Sequence, residues 1–274
     1  MHKYRYKHLN IEALSVGGVE NCFLVKDYKF AVDIGRCPEQ IIEMPQIFIT
    51  HGHLDHAAGI PYYFSQRSLK DKEPGIVYVP KKISRTIKSI LKKWNKIEGF
   101  RYKNTVRPLK HLSTVELNDG YYIKAFNSFH RIPGLSYALM KKSIKLKKEF
   151  LHLPGHEIKR LKEQKAAIFN SSELCFAFFS GDTTIEVLKE YKEAREAKVL
   201  FLECTYIDEA RTVERARKWG HIHLNEIIEN SDLFQNDRIV LSHFSRRYKP
   251  SYVKEIMKKK LPHELKNRVD TIIF

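Results

Sequence analysis

Between Ile49 and His56 the chain reads ITHGHLDH, which sets three histidines and one aspartate within six positions. Buried histidines ordinarily sit singly, where one hydrogen-bond partner satisfies each ring, so a cluster this tight points to a shared partner. A metal ion is the partner that imidazole and carboxylate take together. His51 and His53, two positions apart, can face one ion; Asp55 and His56, a short turn further on, can face a second. Nitrogen and oxygen donors without sulfur favour zinc, with manganese next.

Two ions need more ligands than this loop supplies, which sets a demand on the rest of the chain. His130 closes YYIKAFNSFH, Asp182 follows LCFAFFSG and His243 follows RIVLS, each directly after an apolar run; Asp33 follows KFAV in the same way. Taken singly, each has a plainer explanation. A histidine after a strand is usually structural, and Asp182, in Gly181-Asp182-Thr183-Thr184, could cap a following helix. Together, complementary ligand types at five strand ends point to one site, because open α/β sheets gather their sites at the carboxyl ends of strands.

The elements that must hold these residues are legible as short apolar runs. IEALSV (11–16), CFLV (22–25), KFAV (29–32) and QIFIT (46–50) are bounded by Gly, Asn, Asp or Pro and read as strands. Further strands are expected at 76–79, 121–126, 137–140, 174–179, 199–202 and 239–241, and helices near 184–191, 223–230 and 251–260. Apolar residues at 83, 87, 90, 91, 94 and 97 keep the helical period, which makes Trp94 a core anchor rather than a base-stacking platform. With no repeat or Gly/Ser linker, the mixture predicts an α/β (α+β) fold in one domain spanning 1–274. One stretch, KKSIKLKKEFLHLPGHEIKRLKEQK at 141–165, is dense in Lys and Arg around a Pro154-Gly155 turn and reads as a basic arm projecting from the body.

Composition agrees. The 274 residues are 43% apolar, enough for a sizeable core and against disorder. Lys and Arg total 49 against 32 Asp and Glu, and 49 − 32 = +17 exceeds what solubility requires, pointing to a polyanionic partner. Cys22, Cys37, Cys175 and Cys204 form no C-x-x-C pair and read as reduced thiols. No apolar run approaches the ~18 residues of a membrane span and no signal-peptide core follows the N-terminus, so a cytoplasmic or nuclear location with no membrane partner is expected.

HGHLDH, the strand-end His130, SGDT with Asp182 and LSHFSRRY with His243 match successive motifs of the metallo-β-lactamase superfamily. ALSVGGVENC, AVDIGRCPEQ, KLKKEFLHLPGHEIKRLK, FLECTYIDE and GHIHLNEI narrow the likeness over nearly the whole chain. It resembles the short form of ribonuclease Z, the tRNA 3′-processing endonuclease family, in its plant-type variety. The pairing of Glu203 in LECTY with His221 in GHIHL, followed by HFSRRY, carries that narrower resemblance; HxHxDH alone marks only the superfamily. The resemblance implies a four-layer αββα sandwich with two zinc ions, or manganese, at one edge of the sheets. It implies that His51, His53 and His130 hold one ion and Asp55, His56 and His243 the other, with Asp182 bridging. Asp33 would orient the histidine loop without binding metal. A zinc-dependent endoribonuclease acting on precursor tRNA is implied, working as a homodimer in which the arm of one subunit serves the site of the other.

For phosphodiester hydrolysis, two cations about 3.5–4 Å apart acidify a water and polarise the phosphoryl oxygen. The resemblance implies that Asp55 would accept the water's proton. His221 is the candidate acid for the departing ribose 3′-oxygen, because imidazole titrates near neutral pH, and Glu203 would keep its ring oriented and protonated. From spacing alone His221 and His223 are equal candidates; the GHIH match selects His221 and leaves His223 as a helix-face residue. The products would be a tRNA 3′-hydroxyl and a trailer 5′-phosphate. Bacterial relatives carry a longer arm with a Gly-Pro motif, where this chain has Pro154-Gly155-His156. Its arm offers Lys141, Lys142, Lys145, Lys147, Lys148, Lys159, Arg160 and Lys162 to tRNA phosphates. A thioesterase or cyclic-nucleotide phosphodiesterase on the same fold is the alternative, but it would not be expected to keep Glu203 with His221, nor the charge of +17. A nucleic-acid-binding protein with a degenerate site would have lost ligands, and none is missing here.

Overall fold

The computed structural model describes residues 1–164 and 166–274 and arranges its strands in two seven-stranded sheets. The first runs in spatial order β1 (His2–Tyr6), β2 (Leu9–Val16), β3 (Glu20–Val25), β4 (Phe30–Val32), β5 (Gln46–Phe48), β6 (Ile76–Pro80) and β7 (Thr105–Leu109). The second runs β8 (Thr114–Glu116), β9 (Tyr121–Asn127), β10 (Leu135–Leu146), β11 (Phe169–Phe179), β12 (Val199–Glu203), β13 (Arg238–Ser242) and β14 (Val269–Thr271). Both follow one plan. The first four strands pair antiparallel, and from the fourth onward the pairing is parallel through crossovers.

The crossovers carry most of the helices: α1 (Leu54–Ala57), α2 (Ile60–Leu69) and α3 (Lys81–Glu98) in the first half; then, past α4 (Gly155–Glu163), α5 (Glu186–Glu190), α6 (Lys192–Glu196), α7 (Val213–Trp219), α8 (Leu224–Glu229), α9 (Pro250–Lys260) and α10 (His263–Lys266) in the second. Apolar burial then makes three layers. Alternation along β2 turns Leu9, Ile11 and Ala13 inward, where they meet Phe23, Phe30, Phe48, Tyr137, Phe179 and Phe201 between the sheets. Phe179 stacks on Phe201 with centroids 4.8 Å apart, and Phe23 meets both edge-on. On the outer face of the first sheet Ile47, Val77 and Val79 pack on Tyr63, Phe64 and Leu91 of α2 and α3. On that of the second, Leu200, Leu202, Ile239 and Leu241 pack on α5, α6, α8, α9 and α10. The result is the four-layer αββα sandwich. No helix among the described residues is long and apolar enough to cross a membrane.

Local readings differ in three places. Trp94 is no core anchor: of the helical stripe only Leu91 is fully buried, while Ile90 (42% exposed), Trp94 (45%) and Ile97 (74%) face solvent as the C-terminal half of α3 overhangs the sheet. The expected helix over 184–191 is split, with α5 covering only 186–190 and α6 beginning at 192. Pro154-Gly155 is not a turn. Pro154 is the N-cap of α4 (φ −66°, ψ 152°) and Gly155 its first residue, a place where proline's missing N–H costs nothing. The basic segment around it is a two-stranded ribbon, Lys141–Leu146 paired with Phe169–Leu174, carrying α4 at its end; its residue 165 lies outside the described residues.

Candidate metal centre

The catalytic-type residues lie where the parallel strands of both sheets end. β4 delivers Asp33, β5 delivers Thr50 to His53, β11 delivers Asp182, β12 ends on Glu203 and β13 delivers His243. His130 follows β9, and His221 sits between α7 and α8. Asp33 and His243 both hold left-handed backbone (φ 59° each), which turns the chain sharply out of its strand. Such strain in a non-glycine residue is typical of functional sites.

The structure brings all seven expected ligand residues together. His51 Nε2 lies 3.0 Å from His53 Nδ1, which is 3.4 Å from His130 Nε2. His51 Nε2 is 3.5 Å from Asp182 Oδ2. On the other side of that carboxylate, Oδ1 lies 3.4 Å from both His56 Nε2 and His243 Nε2. These two nitrogens are 3.4 Å apart and each 3.5 Å from Asp55 Oδ2. Two donor groups thus share Asp182.

Hydrogen bonds assign the tautomers. Thr50 Oγ1 donates to Asp33 and so accepts from His51 Nδ1 (3.0 Å). Asp33 Oδ2 accepts from His56 Nδ1 (2.7 Å), the Gly220 carbonyl accepts from His130 Nδ1 (2.8 Å), and Thr205 Oγ1, which donates to Glu203, accepts from His243 Nδ1 (3.0 Å). All four rings therefore spend their N–H outward and aim a bare Nε2 inward. Bare nitrogens and carboxylate oxygens packed 3.0–3.5 Å apart repel unless a cation lies among them, and bonds of about 2 Å to one ion give about that spacing. Asp182 Oδ1, completely buried, has no hydrogen-bond donor among the described residues. The donor set fits divalent metal.

Asp33 contacts no inward atom. It accepts from Thr50 N (2.7 Å), Thr50 Oγ1, Asn21 Nδ2 (3.0 Å) and His56 Nδ1, so it fixes the loop and the His56 ring. Thr50, Thr205 and Asn21 complete this outer ring of partners. Nothing in their spacing announces them; they are found only once the fold closes.

Beside the donors, His221 Nδ1 donates to Glu203 Oε1 at 2.9 Å. Glu203, buried, also accepts from Thr183 N (2.9 Å), Thr205 N (3.2 Å) and Thr205 Oγ1, so it cannot swing. Burial alone would lower the His221 pKa, but Glu203, by charge and hydrogen bond, and then Asp182 raise it to about 9. His223 is elsewhere: completely buried, it caps α8, its Nδ1 accepting from Asn225 N (3.0 Å) and its Nε2 donating to Asp208 O (3.1 Å). It is a cap, not a helix-face residue, and both its nitrogens are spent.

Burial opposes charge at Asp55 and Asp182, yet the surrounding imidazoles, His243 first, hold Asp55 at about 2 and Asp182 well below the usual carboxylate range. Burial and the charge of His56 push His51 well down; at His56 burial, the largest single influence, is outweighed by Asp182 and Asp33 together, and at His243 by Asp182, Asp55 and Glu203 together, so both are raised.

The basic residues divide. Lys141 is the last residue at which β10 pairs with β9, and Lys142 follows it: Lys141 Nζ bonds Tyr121 Oη (3.1 Å), and Lys142 bonds Glu116 (3.1 Å). Lys145, Lys147 and Lys148 lie on or beyond the ribbon, and Lys159, Arg160 and Lys162 are exposed on α4. A groove of about 920 Å³ is lined by Lys88, Lys92, Lys96, Phe100 and Arg101 and shares no residue with the histidine cluster.

A family model described as the beta-lactamase superfamily domain matches residues 36–244. The chain is 36% identical over 261 residues to tRNase Z TRZ1 of Arabidopsis thaliana, covering 94% of this chain and 93% of that one. It is 35% identical to the chloroplastic tRNase Z TRZ2 of the same plant, covering 91% and 71% respectively. Among solved structures, human tRNase Z, short form, superimposes with a TM-score of 0.62 at 18% identity, covering 96% of this chain and 95% of that one.

Proposed function

The chain belongs to the β-lactamase superfamily and, within it, to the tRNase Z family, and on that premise we propose that it removes the 3′ trailer from precursor tRNA by metal-dependent phosphodiester hydrolysis. The tRNA keeps a 3′-hydroxyl and the trailer a 5′-phosphate. The observation that carries this reading beyond the fold is the His221–Glu203 pair beside the donor cluster. A hydrolase that cuts a phosphodiester must protonate an alkoxide leaving group, and this pair supplies the acid.

His51, His53, His130 and Asp182 would hold one ion and Asp55, His56, His243 and Asp182 the other, two per chain. Nitrogen and oxygen donors without sulfur favour zinc, with manganese the second choice. Bound there, the pair supplies Lewis acidity at the phosphoryl oxygen and acidifies a water.

The residues do the rest. Asp55, ionised and held by Gly18 N–H (2.9 Å to Oδ2), accepts the attacking water's proton. His221 is protonated at neutral pH and keeps Nδ1 on Glu203. The nitrogen it turns toward Asp182, Nδ1 at 3.9 Å from Oδ2, is spent on Glu203, which separates His221 from the ligands although it lies within 4.8 Å of Asp182 and His243 donor atoms. Its Nε2 has no partner among the described residues and gives its proton to the departing 3′-oxygen. Lys145, Lys147, Lys148, Lys159, Arg160 and Lys162 on the projecting ribbon and helix take tRNA phosphates, with Lys141 and Lys142 at its base. We include the homodimer in this reading: the exposed Ile90, Trp94 and Ile97 of α3 offer an apolar strip for a second copy to cover. Four free, buried thiols suit a reducing compartment such as the cytoplasm or nucleus.

A precursor tRNA carrying a labelled 3′ trailer tests the proposal. Release of the intact trailer with a 5′-phosphate is expected; exonucleolytic shortening, or no cleavage while a thioester is hydrolysed, would overturn it.

A further inference from the structure

Trp219 is the last residue of α7 and two positions before His221, yet it is 45% exposed. The guanidinium carbon of Arg131 lies over its ring, 4.5 Å from the centroid. Arg131 is itself exposed and directly follows His130. The two loops are tied together at that point, because the Gly220 carbonyl, between Trp219 and His221, accepts from His130 Nδ1 at 2.8 Å. Gly220 has φ 74°, and a Cβ there would come within 2.7 Å of His130 Nδ1, so only glycine allows the loops to meet. The indole–guanidinium pair is therefore fixed to the site through its neighbours. Two residues of chain span at most about 7 Å, which keeps the indole within reach of a nucleotide next to the bond being cut.

Apart from Arg131, no core cluster of the described residues takes up this ring. α7 buries only Ala216. Bases stack on indole and on guanidinium planes, and such stacking tolerates any base. Indifference to sequence is what an enzyme acting on many different trailers needs.

We propose that the Trp219–Arg131 pair is a stacking platform for a base flanking the scissile phosphodiester, and so sets the register of cleavage. This rests on the reading of the site as an RNA phosphodiesterase. Trp219 is a positioning residue and touches no reacting atom.

The test compares wild type, W219A and W219F on a trailer-bearing tRNA precursor and on the same precursor with abasic residues flanking the cleaved bond. W219A is expected to lower kcat/KM on the natural precursor about tenfold, mostly through KM, to scatter the cleavage position, and to keep its metal; W219F is expected to restore most of the loss. On the abasic precursor wild type and W219A should be equal. Since Trp94 is the only other tryptophan, W94F makes Trp219 the sole indole reporter. Its fluorescence should be quenched by an uncleavable precursor and not by its abasic counterpart. Equal losses on both substrates, or quenching by both, would overturn the platform while leaving the endonuclease reading intact. Failure of the wild-type enzyme to cut the natural precursor would sink both.

Discussion

At the scale of single residues, the division of labour rests on which ring nitrogen is spent where. His221 has its Nδ1–H on Glu203, and its pKa is raised to about 9. A general acid works only while protonated, so its contribution is present below that value and is lost as pH rises through it. Cations bound alongside would disfavour the charged ring and so move this fall to lower pH. The rate should therefore show an alkaline fall that disappears in His221→Ala, together with about 10²–10⁴-fold lower kcat and two ions retained. Loss of metal from that variant would make His221 a ligand instead. The seven ligand-type residues stood out in the sequence because imidazoles and carboxylates at strand ends have no propensity reason to be there. His221 and His223 could not be told apart by spacing; the difference between them is that His223 caps α8 with both nitrogens occupied. Thr50, Thr205 and Asn21 were illegible, since a hydroxyl or amide that orients a ring is compositionally like any other.

At the scale of elements, apolar runs announced every central strand and missed the edges. β1, β7, β8 and β14 are the four outermost strands of the two sheets. Their sequences, HKYRY, TVRPL, TVE and VDT, mix charges or proline into the strand, which blunts an edge against pairing with other chains and removes the hydrophobic alternation by which a strand is read. The ribbon was hidden for the same reason, being solvated on both sides. Trp94 misled because a helical period shows that one face is apolar, not how far the sheet beneath it extends. The inter-sheet aromatic stack makes the opposite case, where packing is dense and the cost of a cavity follows. Phe179→Ala should destabilise the chain by about 3–5 kcal/mol, read by denaturant unfolding; a cost below about 1 kcal/mol would contradict the packing described for Phe179, Phe201 and Phe23.

At the scale of the whole molecule, a net charge of +17 and a projecting basic ribbon and helix are set against a compact cluster of anionic and imidazole donors. Substrate affinity should fall steeply with salt, as each phosphate contact releases counterions. Replacing Lys159, Arg160 and Lys162 together by Ala should weaken precursor binding and flatten the slope of log K against log salt by about two units, with the cleavage position unchanged. An unchanged slope would remove α4 from the substrate interface. Asp182 is the hinge of the arrangement, since both donor groups meet on its two oxygens. The most direct check is the metal content of the purified chain, by elemental mass spectrometry, for wild type and Asp182→Ala. Two divalent ions per chain are expected in the wild type, with the variant depleted and inactive; a wild type that cleaves precursor with no ion bound, or a variant that keeps both, would contradict the account.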